Sequence, residues 1–186
     1  MVDLETGRMK EMDKNRQRND LRRIALLNPS ADPTDVVEML VRELDRFPDA
    51  RIVAAYMALP GEVDLRELFG RIDKVWVFPR VKGDELKFYR VSDIDEDMKV
   101  GAFGILEPGD GLDEVAIGEV DVFLCPGLGF DRKGGRMGRG RGFYDRMLKQ
   151  AKQDAVKIGV CFPFQIVDNI LMEDHDVRMD LVIGKC

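Results

Sequence analysis

The sequence has a single histidine, few cysteines and no long apolar run. His175 and the three cysteines (Cys125, Cys161 and Cys186) form no CxxC pair and no cluster of histidines. A zinc site or a disulfide framework needs such spacing, so the pattern argues against both and favours a reducing compartment. No segment approaches the roughly 18 consecutive apolar residues of a spanning helix, and the N-terminus does not resemble a secretory signal. We therefore expect a cytoplasmic protein with no membrane partner.

Positive charge is also in the minority. The 35 Asp and Glu residues exceed the 29 Lys and Arg residues, which gives a formal net charge of −6. Such a chain repels polyanions as a whole, so a bound anion must be held by a local basic patch. One short basic segment is available, PGLGFDRKGGRMGRGRGFYDR at 126–146. RNA binding of the arginine/glycine type is an alternative role for it, but the acidic balance predicts no nucleic-acid partner.

Internal repeats and Pro/Ser-rich linkers are absent, which favours one domain. Apolar runs predict buried strands at 51–58, 74–79, 85–91, 120–126, 156–162 and 180–184. Helical spacing predicts helices over 8–27, 32–47, 64–70 and after position 143, and the first of these carries an apolar stripe of Met9, Met12, Leu21, Ile24 and Leu27. The acidic run at 92–97 is predicted to be a solvated loop. Strands alternating with helices predict an α/β domain with a mostly parallel central sheet flanked by helices, a Rossmann-like layered fold.

The 126–146 segment directly follows a predicted strand, at the sheet edge where such folds bind ligands. Seven glycines and five Lys or Arg side chains lie between Gly127 and Tyr144. Glycine-rich backbone and the amino end of the next helix can cradle phosphates, and Arg136, Arg139 and Arg141 can add charge-assisted contacts. Asp145, expected in the first helical turn, would then suit Mg²⁺.

Two alternatives remain open on spacing alone: a mobile connector, and an aspartate that only complements the helix dipole. Neither the Walker pattern nor G-x-G-x-x-G matches the segment.

The longer string PGLGFDRKGGRMGRGRGFYDRML resembles the signature of the 5-formyltetrahydrofolate cyclo-ligase (5,10-methenyltetrahydrofolate synthetase) family. That signature is approximately P-G-x-x-F-D-x-x-G-x-R-L-G-x-G-x-G-Y-Y-D-R. Weaker similarities follow in the family's order: AYMALPGEVDL at 55–65, FPRVKGDELKFY at 78–89, GAFGILEP at 101–108 and EDHDVRMDLVI at 173–183. The resemblance covers about 18–183, which divides the chain into an N-terminal extension (1–17), helical in part, and a cyclo-ligase-like α/β domain (18–186).

The resemblance implies ATP and Mg²⁺ as co-substrates and conversion of 5-formyltetrahydrofolate to 5,10-methenyltetrahydrofolate, with release of ADP and phosphate. It implies a folate site that includes Met57, Glu62 and Tyr144, and a Mg²⁺ site at Asp145 and Asp180. Arg139 and Arg141 would stabilise charge on the transferred phosphoryl group, with Tyr144 beside them. The implied nucleotide contacts are Arg18, Arg22, Arg136, Gly138, Arg139, Gly140, Arg141, Gly142, Phe143 and Tyr144.

Departures from the family pattern leave other functions open. Phe143 replaces a tyrosine, Arg18 stands where lysine is usual, and the chain ends VIGKC instead of Thr-Glu. A divergent paralogue could use the same ATP site on another formylated or amide substrate. A non-catalytic folate- or RNA-binding protein is a further alternative. His175 is expected to be structural, and the protein is expected to be a monomer or a weak homo-oligomer.

Overall fold

The computed structural model describes residues 4–29, 31–101 and 104–184, with side chains from position 11 onward. The helices are α1 (Leu4–Leu27), α2 (Thr34–Leu44), α3 (Arg66–Phe69), α4 (Ile94–Asp97) and α5 (Phe143–Leu148). The first six strands are β1 (Ile52–Ala54), β2 (Val75–Lys82), β3 (Glu85–Arg90), β4 (Met98–Val100), β5 (Leu106–Pro108) and β6 (Glu114–Val115). The others are β7 (Val122–Cys125), β8 (Gly129–Asp131), β9 (Arg136–Met137), β10 (Val156–Val160), β11 (Ile166–Val167) and β12 (Leu181–Ile183).

Seven strands form the central sheet, in the order β12-β10-β7-β1-β2-β3-β6. The neighbours from β12 to β2 pair in parallel, and only β3 runs antiparallel to the strands beside it. A second sheet has the order β11-β8-β9, and β4 pairs with β5 in a separate hairpin. The predicted α/β class with a mostly parallel central sheet is confirmed.

Apolar side chains cover both faces of this sheet. Consecutive residues of β1 divide between two clusters: Val53 packs with α2 and α3, and Ala54 packs with α5. Helix α2 buries Val36, Val37, Leu40 and Leu44, the i, i+3, i+4 spacing that predicted it. Burial on both faces explains why the central strands read as continuous apolar runs instead of alternating patterns.

Helix α1 uses a different face from the predicted one. Leu21 and Ala25 are buried, but Met12 and Leu27 are 68% and 80% exposed, and the side chain of Met9 lies outside the described part. The inward face instead continues from Ala25 and Leu21 to Arg18 and Lys14. The predicted stripe is correct at Leu21. It is wrong at Met12, because the first half of the helix lies over a polar cleft and not over the core, and at Leu27, which is exposed in the last turn.

The glycine-rich segment divides into two parts with different structures. Residues 127–137, the closed segment, are buried except at positions 132 and 133 and contain β8 and β9. The Asp131 carboxylate fixes this segment by accepting hydrogen bonds from the backbone N–H groups of Lys133, Gly135 and Ile170, at 2.8–2.9 Å. Residues 138–142, the open segment, have no assigned strand or helix and reach the surface. The basic segment is therefore not one continuous loop, and only residues 138–142 lack an assigned strand or helix.

The acidic run at 92–97 is not the predicted loop. Its residues 94–97 form α4, because the Asp93 carboxylate accepts hydrogen bonds from the backbone N–H groups of Asp95 and Glu96. An N-cap of this kind stabilises even a single helical turn.

Cys125 and Cys161 are buried free thiols. Burial raises the pKa of each thiol to about 12, so both stay protonated at neutral pH. Cys186 lies outside the described residues. Within residues 4–29, 31–101 and 104–184, no helix is both long enough and apolar enough to cross a membrane.

Candidate active site

A cleft of about 580 Å³ opens where β1 and β7 end. Tyr56 and Met57, which follow β1, line one side, and Pro126 and Gly127, which follow β7, line another. Helix α1, the 105–107 segment and the 173–176 segment complete the walls. The predicted site residues that line it are Arg18, Met57, Glu62, Arg136, Gly138, Arg139, Gly140, Arg141, Gly142, Phe143, Tyr144 and Asp145.

The lining is apolar on one side and charged on the other. The apolar residues come mainly from β2, β3, the segment after β1 and the start of β5: Met57, Leu59, Phe78, Val81, Leu86 and Leu106. Most of the charged residues come from α1, the open segment and the 173–176 segment. A cleft of this composition suits an elongated ligand that has a flat apolar part and an anionic part.

The open segment presents backbone and arginine side chains to the cleft. Gly140 and Gly142 have φ values of 100° and 64°, a region that side-chain-bearing residues rarely adopt. Arg18 of α1 holds the segment in place by donating from Nε to the Gly138 carbonyl oxygen at 3.3 Å. Helix α5 spans only six residues, so arginine side chains supply most of the positive charge here.

Arg136 and Asp145 form a nearly buried ion pair at the base of the cleft. Their side chains are 4% and 16% exposed, and Arg136 Nη2 lies 3.1 Å from Asp145 Oδ1. The guanidinium also donates to the Pro126 carbonyl oxygen and lies 5.2 Å from the ring centroid of Tyr144. The Val177 backbone N–H donates to the same Oδ1 of Asp145, so Oδ2 remains as the oxygen that can contact a ligand.

Glu62 projects from a tight turn on the other side of the cleft. The Glu62 backbone N–H donates to the Leu59 carbonyl oxygen, and Gly61 has a φ of 83°, as expected at the third position of a type II turn. The carboxylate accepts from the Leu59 backbone N–H at 3.0 Å and from Arg139 Nε at 2.9 Å. Burial raises the pKa of Glu62, although Arg139 opposes the shift.

Tyr144 is a neutral side chain at neutral pH. Burial is the main cause that raises its pKa well above the ordinary value, and the charges of Cys125 and Glu62 add to the rise. A phenol with a raised pKa does not serve as a general base near pH 7. Tyr144 can therefore donate a hydrogen bond or provide a ring surface.

Lys14 is a cleft residue that the sequence patterns did not predict. It is 6% exposed, and its Nζ lies 2.7 Å from Glu173 Oε2 and 2.5 Å from Asp176 Oδ2. Lys14 precedes Arg18 by four residues, so the two share one face of α1. Of the two residues four positions from Arg18, the resemblance implies Arg22 as a nucleotide contact and leaves out Lys14. Arg22 does not line the cleft and donates to Asn19 on its own helix.

Asp176 lines the cleft and Asp180 does not. The carboxylate of Asp180 accepts hydrogen bonds from the backbone N–H and Nζ of Lys157, at the start of β12. Asp176 is adjacent to Val177, whose N–H contacts Asp145. Asp176 is surrounded by Lys14, Glu173 and His175. Burial alone would raise the pKa of Asp176, but the hydrogen bonds from Lys14 and from the Glu173 backbone N–H lower it.

Comparison with known proteins identifies the family. The sequence model of the 5-formyltetrahydrofolate cyclo-ligase family matches residues 8–185. The chain belongs to this family. It is 31% identical over 182 residues to the 5-formyltetrahydrofolate cyclo-ligase of Mycoplasma pneumoniae, covering 93% of this chain and 99% of that protein.

Two further similarities support membership in the cyclo-ligase family. The 5-formyltetrahydrofolate cyclo-ligase of Mycolicibacterium smegmatis is 46% identical over 82 residues, a match that spans 44% of this chain and 42% of that enzyme. The NMR structure of Aquifex aeolicus 5,10-methenyltetrahydrofolate synthetase superimposes with a TM-score of 0.74 at 32% identity, covering 90% of this chain and 89% of that chain. Cyclo-ligases are ATP-dependent ligases, so membership makes this protein an enzyme.

Proposed function

We propose that this protein converts 5-formyltetrahydrofolate to 5,10-methenyltetrahydrofolate with consumption of ATP. Family membership supports the folate reaction. The observation that most strongly supports the ATP-dependent form is the cleft itself, which puts the arginines of the open segment and the carboxylate of Asp145 beside an apolar wall. The reaction would need both: charge complementarity for the phosphates and an apolar surface for the pterin.

The chemistry requires activation of an oxygen. The oxygen of an N-formyl group is a poor leaving group, so attack by N10 of the folate is slow until that oxygen is phosphorylated. In the proposed reaction the formyl oxygen attacks the γ-phosphorus and ADP departs. N10 then bonds to the activated carbon and loses its proton, and the C–O bond breaks to release phosphate, which takes up that proton. Such a sequence needs no enzyme nucleophile, and catalysis rests on positioning and charge neutralisation.

We assign the phosphate contacts to α1 and the open segment. Arg139 and Arg141 would neutralise charge on the transferred group, and the open segment with Arg18 would hold the triphosphate. Lys14 lines the same wall, but it is nearly buried and already paired with Glu173 and Asp176, so it is better suited to hold those carboxylates than to contact phosphate. Arg136 is better suited to hold Asp145 than to contact phosphate, since its guanidinium is only 4% exposed and already paired.

We assign a divalent cation such as Mg²⁺ to Asp145. Its Oδ2 accepts no hydrogen bond from the described residues and its Oδ1 is fixed by two donors, an arrangement that suits the hard oxygen ligands of Mg²⁺. When bound, the cation would neutralise charge on the β- and γ-phosphates. The second carboxylate we propose is Asp176, because it lines the cleft and Asp180 does not.

The apolar side of the cleft would bind the folate. Met57, Leu59 and Phe78 offer surface for the pterin, and the Glu62 carboxylate would accept hydrogen bonds from pterin N–H groups. Tyr144 lies between this side and the arginines, so it can contact both ligands.

The segment before Arg18 belongs to the same functional unit in this proposal. Helix α1 continues from Leu4 to Leu27 without a break at position 17, and Lys14 contributes to the cleft wall. The cytoplasmic location, the monomeric or weakly oligomeric state and the lack of a nucleic-acid partner stay predictions from the sequence.

An absorbance assay tests the proposal. Purified protein with 5-formyltetrahydrofolate, ATP and Mg²⁺ should form the methenyl chromophore and release one phosphate for each folate converted. Omission of ATP or addition of a chelator should abolish the signal. If nucleotide binds but the folate is never converted, the protein is a paralogue with another substrate. Folate binding without phosphate release in any mixture would show a non-catalytic binder.

A further inference from the structure

One ion pair crosses the cleft and uses a residue from each proposed ligand site. Arg139, assigned above to the nucleotide, donates from Nε to Oε1 of Glu62, assigned to the folate, at 2.9 Å. The two residues are 77 positions apart in the chain. We call Arg139 and Glu62 the cross-cleft ion pair.

The two partners differ in their surroundings. The Glu62 side chain is 6% exposed and that of Arg139 is 37% exposed. Leu59 donates to the other carboxylate oxygen of Glu62, and Tyr56 donates to the Val63 carbonyl oxygen beside it. Glu62 is therefore held rigidly.

Arg139 has more freedom to move. It lies between Gly138 and Gly140, at the exposed part of the open segment. The space around Gly140 is also open, since the nearest atom to an added Cβ would be Arg18 Nε at 3.5 Å. If the pair separates, the arginine is the partner that moves.

We propose that the cross-cleft ion pair couples the two ligand sites, so that nucleotide and folate each bind more tightly when the other is present. In the free protein the guanidinium covers Oε1 of Glu62, and neither group is fully available to its ligand. Phosphate would draw Arg139 away and uncover Glu62. Pterin N–H groups would then satisfy the carboxylate.

The physical reason is the penalty for an unpaired buried charge. If nucleotide binds alone, Glu62 loses its cationic partner while it is almost fully buried, which is unfavourable. If folate is also bound, its N–H groups replace the guanidinium and the penalty disappears. Thermodynamic linkage makes the effect reciprocal, and couplings between sites usually lie in the range of about 5- to 150-fold.

This inference rests on the proposed function, and calorimetry can separate the two. The probes are a non-hydrolysable ATP analogue with Mg²⁺, and 5-formyltetrahydrofolate, each titrated alone and in the presence of the other. We expect each ligand to tighten the other by about 10-fold in the wild-type protein. If neither ligand binds, the proposed function fails. If both bind with independent affinities, only the coupling fails.

Glu62→Gln provides the decisive variant, because it keeps the shape of the side chain and removes its charge. Without folate, this variant should bind the ATP analogue several-fold more tightly than the wild-type protein. Glu11→Gln is the matched control, since Glu11 also lines the cleft but does not pair with Arg139. If both variants gained the same affinity for the ATP analogue, the gain would come from the lower negative charge of the cleft and not from the ion pair, and the proposal would be wrong. A loss of affinity in Glu62→Gln would mean that Glu62 orients Arg139 for phosphate, and the coupling model would be wrong.

Arg139→Met gives a second, independent measurement in case Glu62→Gln folds poorly. With Arg139 removed, Glu62 is uncovered in the free protein, so the folate affinity should no longer respond to the nucleotide analogue. In the double variant, the Glu62→Gln change should no longer strengthen nucleotide binding. A gain that persists without Arg139 would overturn the proposal.

Discussion

The closed and open segments share two residue types but have opposite structural roles. Each is rich in glycine and carries basic side chains. In residues 127–137 the glycines are sites of close packing: an added Cβ at Gly134 would lie 2.2 Å from the Met179 carbonyl oxygen. In residues 138–142 an added Cβ at Gly140 would meet nothing closer than 3.5 Å. The closed segment maintains the fold, and the open segment faces the cleft.

The difference follows from one acidic residue. Asp131 binds three backbone N–H groups and is 2% exposed, so it organises the turn at 131–135 and joins it to Ile170. The open segment contains no acidic side chain. Its backbone and side chains line the cleft instead. Glycine and arginine content alone does not separate a structural turn from a binding loop.

The largest expected effect is on catalysis and lies in the open segment. Arg139→Ala should lower kcat/KM in the chromophore assay by about 100- to 1,000-fold, the usual loss when one transition-state donor is removed. The melting temperature should fall, because the variant leaves the nearly buried Glu62 carboxylate without its cationic partner, so kcat/KM is compared at a temperature at which the variant is folded. Arg132→Ala, an exposed arginine of the closed segment that does not line the cleft, is the control and should keep its activity. Equal losses in the two variants would remove the functional distinction between the segments.

A matched pair of glycine substitutions should separate the segments by stability. Gly134→Ala combines a φ of 84° with a backbone clash and should reduce the free energy of unfolding by about 3 kcal/mol or more. Gly140→Ala has a φ of 100° but only ordinary van der Waals contacts with Arg18, so its cost should be about 1 kcal/mol. Urea unfolding measures both losses of stability, provided that the dependence of the unfolding free energy on urea concentration is the same in each variant. A larger loss at Gly140 would contradict the comparison.

The smallest of the three effects concerns pH. Burial alone would raise the pKa of Asp131, but the hydrogen bonds from Ile170, Gly135 and Lys133 outweigh it and lower the pKa. A carboxyl whose pKa is lower in the folded state stabilises the fold above its unfolded pKa, near 3.8, and loses that contribution as the pH falls through the folded value. Asp131→Asn should therefore lower the free energy of unfolding by about 2 kcal/mol at pH 7. This difference from the wild-type protein should become smaller toward pH 3.

Urea unfolding at a series of pH values would measure that gap. Asp110→Asn is the control, because Lys99 and Arg80 lower the pKa of Asp110 to about 2 but solvent screens this exposed carboxylate. It should change stability less than Asp131→Asn at every pH. A gap for Asp131→Asn that stays constant down to pH 3 would mean that its charge does not stabilise the turn.

The sequence predicted the layered fold because its signals are local. Buried parallel strands appear as short apolar runs, and α2 appears as a helical period. The structure of the closed segment was missed because it depends on contacts between distant residues, such as Asp131 with Ile170. The face of α1 was missed for the same reason: apolar spacing favoured Met12 and Leu27, and only the fold shows that Lys14 and Arg18 lie over a cleft. Asp176 and Asp180 both lie in the family-like stretch EDHDVRMDLVI, and nothing in the local sequence shows which of them lines the cleft.

The inward face of α1 also restricts where residues can be inserted into the chain. Lys14, Arg18, Leu21 and Ala25 follow one another at steps of four, three and four, and Leu21 and Ala25 fix the rotation of the helix against the core. An α-helix turns about 100° for each residue. A single inserted codon between Arg18 and Leu21 would therefore swing Lys14 and Arg18 out of the cleft, although every residue would still be present. Residues added before α1 would not change the rotation of Lys14 and Arg18 relative to Leu21 and Ala25.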